Sequence, residues 1–178
     1  MYMKGDFFMK KTLILVFIAF IIILLVNQKN SNIIIPKESI RIRIISNSNL
    51  EYDIKDKMKV KGEIEKEIYE LLKGVKNIEE ARNILNNNLD KLNVVVDKMT
   101  DNYEISFGNH YFPKKTYKGL IYEEGIYESL VVTLGEGSGD NWWCVLFPPL
   151  CLLEGDNEET DDVEYQFFVK ELLDKYFS

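Results

Sequence analysis

At 178 residues, with 46% hydrophobic and 12% aromatic content, the chain has ample material for one packed domain, and its 29% charged fraction argues against global disorder. Net charge is −7, and residues 31–178 carry 18 basic and 28 acidic groups, a net of −10. That balance argues against nucleic acid, whose phosphates demand a basic footprint, and against loose docking on anionic lipid.

Lys4, Lys10 and Lys11 precede an uninterrupted apolar run, Leu13 to Val26. A positive flank before a short apolar core is the layout of a secretory signal. The run is shorter than the ~17–25 residues that a spanning helix needs. No A-x-A-like site follows it. Segment 1–30 is therefore expected to be a cleaved signal peptide or an N-terminal membrane anchor, with retention preferred. A buried core helix is disfavoured because the run has no polar face. Either membrane fate places residues 31–178 outside the cytoplasm.

Ser31 to Pro36 reads as a linker. Ile40 to Ile45 alternates Ile with Arg41 and Arg43, the pattern of a half-buried strand. Asn47, Ser48 and Asn49 form a turn or cap. Glu51 to Lys73 reads as a helix with a broken apolar stripe at Ile54, Met58, Ile64, Ile68, Leu71 and Leu72, ended by Gly74. Asn77 to Leu92 reads as a second helix, with Asn77 as N-cap and Glu80 as the capping-box acid. Short strands are predicted at Asn93 to Asp97 (NVVVD) and Tyr103 to Gly108, joined as a hairpin through Asp101-Asn102. Tyr111 to Tyr122 is aromatic-rich and extended. Tyr127 to Leu134 is another strand.

Three alternating glycines follow, Gly135, Gly137 and Gly139. Asp140 and Asn141 turn the chain into the apolar run Trp142 to Phe147. Pro148 and Pro149 must stop that run or hold it at a sheet edge. Glu154 to Asp162 is a solvated acidic linker, and Val163 to Phe177 a closing helix marked by Val163, Phe167, Leu172 and Tyr176. The order β-α-α-β-β-β-β-α predicts an α+β fold, an antiparallel or mixed sheet with helices on one side: two N-terminal helices and one C-terminal helix.

Both cysteines, Cys144 and Cys151, lie in one short run. In an extracytoplasmic chain two cysteines suggest a disulfide, and Pro148-Pro149 could reverse the chain to close it; the alternative is a pair of buried thiols. A cysteine hydrolase would need His110, the sole histidine, as partner, and apolar surroundings make a thiol inert. C-x6-C with one distant His is not zinc spacing. Asp156, Glu158, Thr160 and Asp162 imitate a calcium loop without its turn glycine. The GxGxG run lacks the Lys-Ser/Thr of a phosphate-binding loop. The residues thus form no coherent catalytic, cofactor or metal set, and no small-molecule substrate is expected.

Trp142 and Trp143 are the main interface candidates. Neighbours in a strand face opposite sides of a sheet, so one Trp is expected in the core and the other exposed beside Asp140 and Asn141. The competing reading puts both in the core. Arg41 and Arg43 are expected on a solvated face, the alternative being a carboxylate on a partner or on the cell wall.

Three stretches carry a family resemblance. GEGSGDNWWCVLFPPLC, Gly135 to Cys151, resembles the signature of the stage II sporulation protein R family of spore-forming Firmicutes. FPKKTYKGLIYEEGIYESLVVTLG, Phe112 to Gly135, resembles the same family's FPxKxYGxxxxPAGxYxALxVxIG. IRIRIISNSN, Ile40 to Asn49, resembles IRLRIIANSD. The likeness runs from about Ile34 to Leu153. This chain departs from the pattern at Ser46, where Ala is usual, at Asn49, where Asp is usual, at Lys118 before Gly119, and at Glu124, where Pro is usual. The resemblance implies a non-enzymatic signalling protein made in the forespore and exported into the space between the septal membranes. There it would activate a membrane-embedded aspartic protease that removes the pro-sequence of sigma factor E in the mother cell. From the residues alone, a secreted thiol hydrolase and a wall-binding module remain the alternatives.

Overall fold

The computed structural model describes residues 13–19, 33–151 and 162–177. It divides into two units, residues 1–32 and residues 33–178. Of the first, residues 13–19 are helical and exposed, and the rest of the Leu13 to Val26 run lies outside the described residues. Among the described residues no helix is long and apolar enough to cross a membrane.

The second unit is α+β. Its strands are β1 (Ile33–Ile34), β2 (Ile40–Ile45), β3 (Tyr103–Phe112), β4 (Lys115–Tyr117), β5 (Leu120–Tyr122), β6 (Gly125–Leu134) and β7 (Asn141–Phe147). Its helices are α1 (Glu51–Leu72), α2 (Ile78–Asn87), α3 (Leu89–Asp97) and α4 (Asp162–Phe177). A four-stranded mixed sheet runs β3-β6-β2-β7, and a three-stranded sheet runs β1-β5-β4. β2 lies parallel to β6 and antiparallel to β7, while β3 pairs antiparallel with β6 from Tyr103↔Leu134 to Phe112↔Gly125. β7 ends at Phe147 on a sheet edge, as the two prolines require.

The alternation along β2 sorts the interior into two layers. Ile40, Ile42 and Ile44 face a core built with Val60, Ile64 and Ile68 of α1, Ala81 and Leu85 of α2, and Leu92 and Val96 of α3. Each of the Val, Leu and Ile side chains contributes about 1.5–3 kcal/mol on burial. A second cluster gathers Ile35, Leu120, Tyr122 and Val145 with Tyr165 and Val169 of α4. Helices therefore do not all share one side: α4 buries Tyr165 and Val169 in the cluster on Val145's face, while its Tyr176, near the C-terminal end, packs on Phe147 of the three-helix core.

Local expectation and tertiary packing part company at four places. The predicted strand Asn93 to Asp97 is the end of α3. Three successive valines favour a strand locally, but helical spacing buries both Leu92 and Val96 completely, and that outweighs propensity. The second helix consequently continues past Leu92, broken at Asn88, and β3 pairs with β6 instead of a 93–97 hairpin. In α1 the buried stripe is Asp53, Lys57, Val60, Ile64 and Ile68, whereas Ile54 and Met58 are exposed. In α4, Tyr165 and Val169 are buried and Phe167 is exposed. Finally, part of the predicted linker before Pro36 forms β1, parallel to β5. The acidic linker Glu154 to Asp162 lies outside the described residues, Asp162 excepted, and with it the calcium-like tract.

The predicted extended stretch Tyr111 to Tyr122 contains a tight hairpin. Lys118 and Gly119 both take positive φ, 47° and 77°, as a two-residue turn with the right twist for β4 and β5 requires. Gln166 of α4 donates to the Lys118 carbonyl at 3.2 Å.

Candidate functional site

Because β2 and β6 are parallel, the segments that leave them emerge at the same end of the sheet. These are Ser46–Asn49 and the glycine loop 135–140, and they interlock. Gly139 N–H donates to the Ser46 carbonyl at 3.0 Å and Ser138 N–H to the Asn47 carbonyl at 3.1 Å. Ser138 Oγ donates to the same carbonyl at 2.7 Å. Glu136 N–H donates to Asn47 Oδ1 at 2.9 Å, and Asp140 N–H to Asn49 Oδ1 at 2.7 Å. A buried lysine closes the joint: Lys57 Nζ donates to the Asp140 carbonyl at 2.8 Å. Asp53, also buried, accepts from Asn47 Nδ2 at 3.1 Å and from Ser48 Oγ. This explains why α1 opens with a polar buried stripe.

The glycines make the joint possible. Gly135 and Gly137 take φ of 56° and 61°, in the left-handed region. At Gly139 the reason is contact: a Cβ there would lie 2.4 Å from the Ser48 carbonyl oxygen and 2.8 Å from Ser46 Cβ. What the loop shows outward is Glu136, Ser138, Asp140 and then Asn141, all exposed.

The tryptophans do face opposite sides, but neither is fully exposed. Trp142 packs against the three-helix core, with Lys61 Nζ 4.9 Å from its ring centre. Trp143 packs against the second cluster, its ring 5.4 Å from that of Phe112 and 5.7 Å from that of Tyr122. Both are half-buried, which corrects the expected split into one core and one exposed Trp.

Arg41 overturns the solvated-face expectation. It is fully buried, and its guanidinium carbon stands 3.4 Å from the Tyr127 ring centre, with Phe112, Tyr122 and Trp143 at 5.3, 5.7 and 5.8 Å. None of its three side-chain nitrogens meets a hydrogen-bond acceptor. Burial pushes the guanidinium below its ordinary value, and Tyr127 and Tyr122 partly restore it. Arg43 is half-buried, 5.0 Å from the Phe112 ring centre, and donates to the Tyr111 carbonyl at 3.4 Å. Burial lowers its pKa too.

Cys144 and Cys151 are buried thiols here, with no disulfide between them. Their sulfurs lie 3.9 and 2.9 Å from one acceptor, the Val145 carbonyl. His110 is far from both. It sits on β3, with Nδ1 2.8 Å from Ser129 Oγ and Nε2 3.3 Å from Ser106 Oγ, while Cys144 is on β7 at the opposite edge. Three strand spacings, about 14 Å, separate the strands, so no thiol–imidazole dyad forms. Among the described residues no group of His, Cys, Asp and Glu could hold a metal ion.

A family model described as stage II sporulation protein R matches residues 36–157, which holds both halves of the interlocked joint, the Arg41 box and both tryptophans. The chain belongs to the stage II sporulation protein R family. It is 38% identical over 138 residues to the stage II sporulation protein R of Bacillus subtilis (strain 168), covering 74% of this chain and 62% of that protein. The chain thus spans less than two thirds of that relative's length. No solved structure matches. Membership assigns the chain a role in sporulation.

Two of the four departures from the family pattern, Ser46 and Asn49, fall at this joint. Asn49 Oδ1 accepts the Asp140 N–H, a bond that an Asp carboxylate would also accept. Ser46 Oγ, where the family pattern has Ala, is buried with no hydrogen-bond partner. A buried hydroxyl left unpaired costs about 1–3 kcal/mol. Ser46→Ala is therefore expected to melt at or above the wild-type temperature, and a clear fall would show that the hydroxyl is bonded in solution.

Sequence reasoning missed Asn47, Asp53 and Lys57, which hold the loop, and Phe112, Tyr122 and Tyr127, which enclose Arg41. A signal existed for the second set: the aromatic density of residues 111–127. Asp53 and Lys57 carried only their i, i+4 spacing, which on an exposed helix would be an ordinary surface pair.

Proposed function

We propose that the chain is a non-enzymatic sporulation signal, exported from the forespore into the intermembrane space, that binds and activates a septal membrane aspartic protease processing pro-sigma-E. One observation carries the reading beyond family membership. The glycine loop is an outward display of Glu136, Ser138, Asp140 and Asn141 whose backbone is pinned to residues 46–49 and Lys57. A pre-ordered surface loses little entropy on binding, which favours recognition over chemistry. Activation then requires only that the chain prefer the protease's active arrangement, and a preference worth 1–3 kcal/mol shifts that equilibrium 5–150-fold.

The test is reconstitution. The full chain, the candidate membrane protease and its precursor are co-expressed in a host that does not sporulate. Precursor cleavage should depend on this chain. Cleavage that proceeds equally without it, or never occurs with it, refutes the reading. Retention of the protein on purified peptidoglycan would favour a wall-binding module instead.

A further inference from the structure

Two edge strands, one from each sheet, contribute to a cavity beside the Trp pair. Among the described residues β7 pairs with β2 alone and β4 with β5 alone. A cavity of about 160 Å³ is lined by Lys115 and Tyr117 of β4, Tyr122 of β5, and Asn141, Trp142 and Trp143 of β7. Four of these six side chains are aromatic, and none is acidic.

The charges there are one-sided. Lys115 is exposed, and its Nζ stands 5.0 Å from the Trp143 ring centre. Among the described residues it forms no ion pair, unlike its neighbour Lys114, which pairs with Glu123 at 3.0 Å. Arg41 touches the same wall from inside, against Tyr122 and Trp143, with three buried nitrogens lacking an acceptor. Two cations, neither in an ion pair among the described residues, thus meet at the Trp143 ring, within residues 31–178, whose net charge is −10. Arg41, held on ring faces in a low-dielectric wall, keeps an attraction for anions that solvent screens more strongly at the exposed Lys115. Asn141, exposed at the rim, adds an amide donor and acceptor.

We infer that this groove takes an extended acidic segment of the partner polypeptide, laid along the free edge of β7 with an Asp or Glu carboxylate against Lys115. Strand addition satisfies the open backbone edge, and alternate side chains of the added strand reach the aromatic pocket. The inference rests on the proposed function, since it gives the chemistry by which the activated protease is recognised.

The experiment uses the full chain in sporulating cells, with p-benzoylphenylalanine placed at Tyr117, and separately at Thr116, which does not line the cavity. Position 117 should photo-cross-link to an acidic extracytoplasmic segment of the protease, and position 116 should not. Lys115→Glu should cut the 117 cross-link at least tenfold while leaving the melting temperature unchanged. Reversing the mapped acid to Lys in the protease should restore it. Wild-type yield in Lys115→Glu, a cross-link to a basic or helical segment, a cross-link to glycan, or no cross-link at 117 each overturns the groove. The two readings fail separately. A reconstituted system silent with wild-type chain refutes activation, whereas one equally active with wild type and Lys115→Glu refutes the groove alone.

Discussion

Gly139→Ala should lower the melting temperature by roughly 10 °C and abolish the proposed activation, while Gly62→Ala should raise stability. A Cβ at 139 would meet backbone, the Ser48 carbonyl oxygen at 2.4 Å and its carbon at 2.5 Å, so no rotamer change relieves the clash. The loop must lift. Overpacking of this kind costs about 1–3 kcal/mol. Lifting also strains the bonds from Gly139 to Ser46, Ser138 to Asn47 and Asp140 to Asn49, each worth about 1 kcal/mol net. A loss near 3 kcal/mol corresponds to about 10 °C in a domain of this size. Gly62 is the internal contrast. It lies mid-way along α1 with nothing within 4 Å of its missing Cβ. There alanine gains the helix-propensity difference, about 1 kcal/mol. Thermal melts of the two variants beside wild type decide it. If Gly139→Ala melts with wild type, the joint is loose and the outward display is not pinned.

The same joint shows where sequence reasoning reaches and where it stops. The strands around it are legible because one face of each is apolar: Ile40, Ile42 and Ile44 alternate with polar partners, and Pro148 marks the end of β7. The glycine loop is legible as a loop. Its partner is not, because the bonds join residues 46–49 to 135–140, and nothing local in either stretch encodes the other. The misreadings share a cause. Local pattern assigns polar residues to solvent, yet Asp53, Lys57 and Arg41 are buried by tertiary neighbours: Asn47 and Ser48 bond Asp53, the Asp140 carbonyl bonds Lys57, and aromatic faces cover Arg41, whose nitrogens stay without an acceptor. NVVVD fails likewise, a strand by propensity and a helix by what Leu92 and Val96 can bury.

Arg41 gives the second large effect, and it separates stability from recognition. Arg41→Ala removes a fully buried long side chain, and a cavity of that kind costs about 2–5 kcal/mol. Arg41→Met keeps most of the volume and removes the charge, so its sign depends on two opposing magnitudes. The buried guanidinium carries a desolvation penalty of several kcal/mol with no acceptor on its nitrogens to offset it. Against that stand the ring contacts. The Tyr127 stack at 3.4 Å is the closest, and a desolvated cation–π pair is worth about 2 kcal/mol. Methionine retains favourable contact with the same rings through its sulfur. The terms nearly cancel, with desolvation slightly the larger. Arg41→Met should therefore melt within a few degrees of wild type or above it. It should still be at least tenfold weaker in the proposed activation of the protease, because the wall of the inferred groove has lost its inner charge. Equilibrium unfolding of both variants beside the activation assay checks this. If Arg41→Met unfolds as easily as Arg41→Ala, the cation itself holds the second core together. If Arg41→Met is both stable and fully active, the buried charge has no part in recognition, and the inferred groove rests on Lys115 alone.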